Sequence, residues 1–495
     1  MKPNVRLILG VSIMVIILVA CAPAATPTPQ PPVKETVLVR QTQVVEQTKV
    51  VEQTRVIEQT KVVEKVITAT PPPPIKKTIV EFWTTDNEEY RVQKYEEVAA
   101  RFMKDNPEVD VRIVPIDEAT VSQRVATARG ANRLPAIARV GVERVAPFLA
   151  DGILDTDIPT KVIKDLGEST FYDSPLNMVK TSDGKAYAAV PFDGWIQAIW
   201  YRSDEFKKLG LNAPIKWEDI QKACETLKGK EGNLYGITLG TDPGQNYGHQ
   251  LFEQFAMSNG AYPFDKNGNV TMNSPAMVES LDFYTSLQKC AAPGPNYWSQ
   301  ARQFYITGQS PMLFYSTYVM DDLAGLQKGV EPTVKGLSTN TGFAPSMIGK
   351  SGDKATYGTL VVNVVFKGAN SEATTKFLKY MLDGQNYIDI LFLAPNGKIP
   401  VRKTAVDAWA KNDIFKSYPK DVLDTVANGY NTMQRWAFTS WTTPTQRAVI
   451  GDMEGRLLVP QAISNVVEGK MTAKQAADWL QVRVEELNKD RMAQK

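Results

Sequence analysis

Hydrophobic and polar positions divide the chain into three stretches of different rhythm. Leu7 to Ala20 is a mostly apolar run of 14 residues, shorter than the roughly 20 that a helical membrane span needs. Thr36 to Lys65 repeats a unit of six, T-[KR]-V-[VI]-E-[QK] in its clearest copies. On a helix six residues advance roughly 600°, so Val50, Val56 and Val62 would scatter around the axis. On a strand six is even. Those valines then share one face, and Val51, Ile57 and Val63 share the other. β-branched residues favour extended backbone as well. The repeat therefore reads as an extended stalk, closed by the tetraproline Pro71–Pro74 as a stiff spacer. A coiled coil lacks its 3.5-residue period here. Self-association through β-structure is the other alternative.

From Thr78 onward the rhythm is that of a globular body. Thr78–Trp83 alternates and is β-rich, which predicts a strand. Val92, Tyr95, Ala99 and Phe102 fall at helical spacing, and Asn106-Pro107 stops that helix. "VDVRIVP" predicts a second strand, "SQRVATARGA" a helix and Ala136–Val140 a third strand. Strands alternating with amphipathic helices imply an α/β fold with a mainly parallel sheet. "TSDGKAYAAVPF" and "FDKNGNVTMN" predict hairpins. Around Asp193–Trp200 the order begins again, with strand "AIWYRSD", a helix, and strand "LYGITLG". Two such units suggest two lobes with a ligand cleft between them.

Composition narrows the function. The formal net charge is +2, and Lys2 and Arg6 precede the apolar run. A near-neutral body gives no support to nucleic-acid binding. One histidine, His249, and three cysteines cannot assemble a Cys/His metal cluster, so no metal or cofactor is expected. The apolar run reads as a secretory signal over residues 1–20. It ends in Leu18-Val19-Ala20-Cys21, which resembles the lipobox of bacterial lipoproteins. That resemblance implies a lipidated Cys21 and anchoring to the bilayer on the extracytoplasmic face of the cell membrane. Residues 21–77 would be the stalk, able to reach about 190 Å at about 3.3 Å per residue. Cys224 and Cys290 fall in one lobe in an oxidising compartment, where both a disulfide and two separately buried thiols fit.

The body resembles the extracellular solute-binding proteins of bacterial ABC importers, the sugar-binding type related to maltose-binding protein. The resemblance spans about Thr78 to Leu487. It rests on "FWTTDNEEY", "RLPAIARVGVERVAPFLADGIL", "YAAVPFDGWIQAIWYRSDEFKKLGL", "FYITGQSPMLFYSTYVM", "ATYGTLVVNVVFKGANSEATTKFLKYML" and "APNGKIPVR", in that order. It implies a periplasmic-binding-protein-like fold, two α/β lobes joined by hinge crossings. The crossings would lie near Asp193–Ile199, near Thr359–Val364 and after Val401. Residues 78–193 would form lobe 1, 194–360 lobe 2, 361–403 a return to lobe 1, and 404–495 C-terminal helices mainly in lobe 2. Ligand-driven hinge closure, ABC permease subunits as partners and a monomeric state are implied too.

A sugar site should pair aromatic platforms with groups that match several hydroxyls. By resemblance, the loop after the first strand offers Trp83 and Asp86. The loop after the third offers Glu143 and Arg144, although Pro135-Ala136 stands where the family usually has Pro-Asp. Trp195 sits at the first crossing, Asn246 and Tyr247 in the second lobe's ligand loop. Tyr318 takes a stacking position, Tyr357 precedes the return crossing, and Trp441 lies near a late helix. The expected ligand is a small solute, a mono- or oligosaccharide. "GKS" at Gly349–Ser351 is not a phosphate loop, since Ala344 stands where its first glycine belongs. In "DKNGN" Asp265, Asn267 and Asn269 are followed by no correctly placed glycine or terminal Glu, so it is not a calcium loop. A surface glycosidase is an alternative, but no motif selects a pair of carboxylates, and no catalytic activity is expected. A sensory or adhesive sugar receptor without transport is the other alternative.

Overall fold

The computed structural model describes residues 77–327 and 329–493. The apolar run, Cys21, the hexads and the tetraproline lie outside the described residues. Among the described residues nine strands form the sheet: β1 (Thr78–Thr84), β2 (Val109–Pro115), β3 (Ile137–Gly141), β4 (Val190–Arg202), β5 (Met312–Ser316), β6 (Thr341–Ala344), β7 (Ser346–Ile348), β8 (Lys354–Val365) and β9 (Ile399–Pro400). Its main order is β2-β1-β3-β8-β4-β5.

The expected parallel sheet is correct only for β2-β1-β3. β8 pairs antiparallel with β3 and with β4, and β4 pairs antiparallel with β5, β6 and β9. The reason is topological. β4 and β8 are 13 and 12 residues long, and they run past each other between two hydrophobic cores. Val190 and Phe192 belong to one core, Trp195 to Trp200 to the other. β8 makes the reverse passage, from Ala355 and Tyr357 to Val362 and Val365. The chain passes once more between Ala405 and Ile414. Gly358 pairs with Ile196 at this crossing. A Cβ there would sit 2.8 Å from the Trp195 carbonyl, so only glycine lets the strands approach this closely.

The first lobe follows its pattern closely. In the helix Glu89–Asp105 the buried residues are Tyr95, Val98, Ala99 and Phe102, one face at helical spacing. The helix ends where Asn106 donates its backbone N–H to the Phe102 carbonyl at 3.0 Å. In the second lobe the expected strand 234–240 is not a strand. It has a single bridge, Ile237 to Ala291. It runs beside β5, but the Thr238 hydroxyl accepts the Phe314 N–H at 3.1 Å, where a continuous ladder needs a carbonyl. The two expected hairpins are reduced to isolated bridges, Lys180–Tyr187 and Phe264–Val270. Cys224 and Cys290 form a disulfide with Cα atoms 5.9 Å apart, resolving the alternatives left open by sequence. Among the described residues no helix is long and apolar enough to cross a membrane.

Candidate functional site

The parallel strands β1, β2 and β3 end on one side, and their following loops carry Asp86, Glu118 and Glu143 toward the second core. This is where open α/β sheets place ligands. Opposite them stand Trp195 and Gln197 of β4, Tyr315 and Tyr318 at the end of β5, Tyr247 and Gln250 of the helix Tyr247–Ser258, and Tyr357 of β8. Together they line a cavity of about 120 Å³.

The lobes touch across it. Arg302 donates to Glu88 at 3.3 Å. Asn246 and Gln250 both donate to Glu118 Oε1, at 3.0 and 3.1 Å. Lys398 and Arg139 donate to the Tyr318 hydroxyl at 3.0 and 3.2 Å. Hydrogen bonds therefore link the two walls of the cavity.

Two buried ionic networks form the floor. In the first, Asp86 Oδ2 receives Lys398 Nζ at 2.7 Å, Tyr95 OH at 2.8 Å and Arg139 Nη1 at 3.1 Å. Arg139 also donates to Asp193 Oδ2 at 2.7 Å, and Tyr318 OH donates to Asp193 Oδ1 at 3.1 Å. Burial alone would raise the Asp86 pKa, but Arg139, Lys398 and Arg91 outweigh it and hold the carboxyl well below its usual range. Burial, reinforced by Arg139, lowers the Lys398 pKa to about 8.

In the second network Arg435 reaches Glu253 at 3.0 Å, Glu454 at 3.2 Å and Glu143 at 3.5 Å, and lies over the Tyr357 ring at 4.7 Å. A Cβ on Gly141 would overlap the Glu143 carboxylate, so that glycine makes room for it. Burial and the Glu454 charge raise the Glu143 pKa from 4.5 to about 7, against Arg435 and Arg144. An acid that holds its proton more tightly when folded stabilises the fold while protonated. That contribution is lost as pH rises from about 4.5 through about 7. Glu143→Gln should therefore leave stability near wild type at pH 5 and raise it at pH 8.5 by on the order of 2 kcal/mol. Urea unfolding at both pH values checks this.

Of the ten residues expected at the site, Asp86, Glu143, Trp195, Tyr247, Tyr318 and Tyr357 line the cavity. Asn246 stands one step behind it, on Glu118. Three are placed elsewhere. Trp83 packs in the first core and donates to Glu81 at 2.6 Å. Arg144 is buried against the Gly451 carbonyl at 3.2 Å. Trp441 donates to the Phe264 carbonyl at 3.2 Å and packs edge-on against Tyr262. Trp83 points away because alternate positions of a strand face opposite sides of the sheet.

Arg139, Asp193, Lys398 and Arg435 were missed. The first had a signal, since a charge inside the apolar strand "IARVG" must find a buried partner. Arg435 had none, because its three carboxylates come from distant segments.

Among the described residues, three residues lining the cavity bury a polar atom without a hydrogen-bond partner: Arg139 at Nε, Gln197 at its amide nitrogen and Tyr357 at its hydroxyl; the last two are the neutral ones. Buried polar groups are nearly always satisfied, so these two call for a polar guest. The chain matches the family described as bacterial extracellular solute-binding protein over residues 86–386. It belongs to that family. The binding protein is 29% identical over 416 residues to a putative ABC transporter periplasmic-binding protein, YcjN, of Escherichia coli K12, covering 82% of this chain and 92% of that one. It is 22% identical to the sn-glycerol-3-phosphate-binding periplasmic protein UgpB of the same organism, covering 78% and 87%. Among solved structures it is similar to maltose-bound MalE3 of T. maritima, at 18% identity and a TM-score of 0.68, covering 83% of this chain and all of that one. That likeness shows the two-lobe fold. No group of residues able to hold a metal ion occurs among the described residues.

Proposed function

We propose that this binding protein captures a sugar between its lobes and hands it to the permease of an ABC importer. The observation that carries the sugar reading is the cavity wall. Trp195 and Tyr315 bring aromatic rings to the wall beside Gln197 and Tyr357, whose polar atoms lack partners, and the Tyr318 ring, with Arg91 and Lys398 over it, joins them. In this reading lipid on Cys21 holds the protein on the outer face of the cell membrane, and the stalk of residues 21–77 sets its distance. Residues 78–193 and 361–403 act as one lobe, and 194–360 with most of 404–495 as the other. Closure is driven by contacts that the ligand makes better in the closed form. The protein acts as a monomer and performs no catalysis. The test is calorimetric titration with labelled mono- and oligosaccharides, followed by recovery of the bound sugar. One equivalent should bind and return unchanged. Turnover of the label would favour a glycosidase instead.

A further inference from the structure

The fixed charges of the cavity say which sugar. Its lining holds three guanidiniums, Arg91, Arg139 and Arg435, against four carboxylates, Asp86, Glu88, Glu118 and Glu143. Every one of these guanidiniums meets at least one carboxylate, and of their buried nitrogens only the Arg139 Nε is left without a hydrogen bond. Arg91 meets Asp86 at 3.3 Å and Glu88 at 3.1 Å. Arg139 is held by Asp86 and Asp193, and Arg435 by three glutamates. An anionic ligand would have to take a buried cation from its carboxylate and leave that charge unpaired, at high cost.

Glu118 is the reverse case. Among the described residues it is the one lining carboxylate with no cation within 4 Å. Its Oε1 accepts two neutral amides, and among the described residues no hydrogen bond reaches its Oε2. Burial, with the Glu454 charge, raises its pKa against the Asn246 hydrogen bond and the more distant Arg144.

A second feature lies beside it. Tyr247, Tyr297, Trp298 and Tyr315 all line the cavity and form a closed circuit of rings. Centroids are 6.4 Å apart from Tyr247 to Tyr297, 5.1 Å to Trp298, 6.4 Å to Tyr315 and 6.4 Å back to Tyr247. Tyr247 and Gln250 share a helix whose first turn meets Glu118. The Arg302 guanidinium already lies over the Trp298 ring at 5.1 Å, which leaves the three tyrosine rings of the circuit, and a carboxylate with no cation within 4 Å beside such rings is the pattern that recognises an amine cation.

We infer that the ligand is an amino sugar, whose hydroxyls meet Gln197 and Tyr357 and whose ammonium meets Glu118 and the three tyrosine rings. This rests on the sugar reading above and deepens it.

The test is a titration of the full chain in detergent. Glucosamine, galactosamine, mannosamine and a β-1,4-linked glucosamine disaccharide are each compared with their hydroxyl counterparts, with glycerol 3-phosphate alongside. At least one amino sugar should bind tenfold or more tightly than its counterpart. Glu118→Gln should bring that ratio close to one, and Tyr297→Leu should shrink it. A hydroxyl sugar that binds as well as its amino counterpart, or a ratio unmoved by Glu118→Gln, overturns the inference and leaves the sugar reading standing. Binding of glycerol 3-phosphate alone, or of nothing in the set, overturns both.

Discussion

Arg435→Met should lower the free energy of unfolding by about 3–5 kcal/mol, the usual cost of removing one partner from a buried ionic cluster. Arg435 is 3% exposed and touches Glu143, Glu253 and Glu454, each 5% exposed or less. Methionine keeps much of the volume, so the loss is electrostatic. Three carboxylates would then face one another without their shared cation, and protonation is the remaining relief. The deficit should therefore shrink as pH falls from 8 to 5. Adding Glu253→Gln should restore part of the stability at pH 8. Urea unfolding of the single and double variants measures both effects. A loss below about 1 kcal/mol would mean that the cluster is solvated and the lobes do not close on it.

Trp195→Leu carries the largest expected effect on binding. Trp195 lies on β4 just after the core switch, with its ring centroid 5.9 Å from that of Tyr357, and lines the cavity. Leucine retains part of the apolar volume and removes the flat face on which a sugar ring stacks. Affinity should fall roughly 30- to 300-fold, about 2–3.4 kcal/mol, while circular dichroism remains that of the wild type. Unchanged affinity would place the sugar elsewhere in the cleft.

Much of this was legible in the sequence. "VDVRIVP" became β2 residue for residue, because alternation and the preceding Asn-Pro leave little freedom. The crossings near Asp193 and Thr359 were legible through resemblance, and the core residues change sides there. The sheet's direction was not, since β4 and β8 are partnered by distance-spanning pairs that no local pattern records. Asp86 was legible as a loop carboxylate, but its role as the centre of a buried network was not. Lys398 lies 312 residues away in sequence yet donates to it. Trp441 shows the opposite failure. An aromatic near the right helix reads as a platform in the sequence, yet it covers the Tyr262–Phe264 segment. Which of nine tryptophans faces a cleft is decided by tertiary packing, not by neighbours in the chain.

The central claim is that the cleft takes an uncharged or amine-bearing sugar and refuses a phosphate ester. The most direct measurement is thermal unfolding of the purified protein with neutral sugars, amino sugars and glycerol 3-phosphate, each added in turn. A true ligand at 100 times its Kd should add about 2.7 kcal/mol of stability. The expected result is a clear upward shift with at least one sugar and none with glycerol 3-phosphate. A shift with glycerol 3-phosphate and none with any sugar would contradict it.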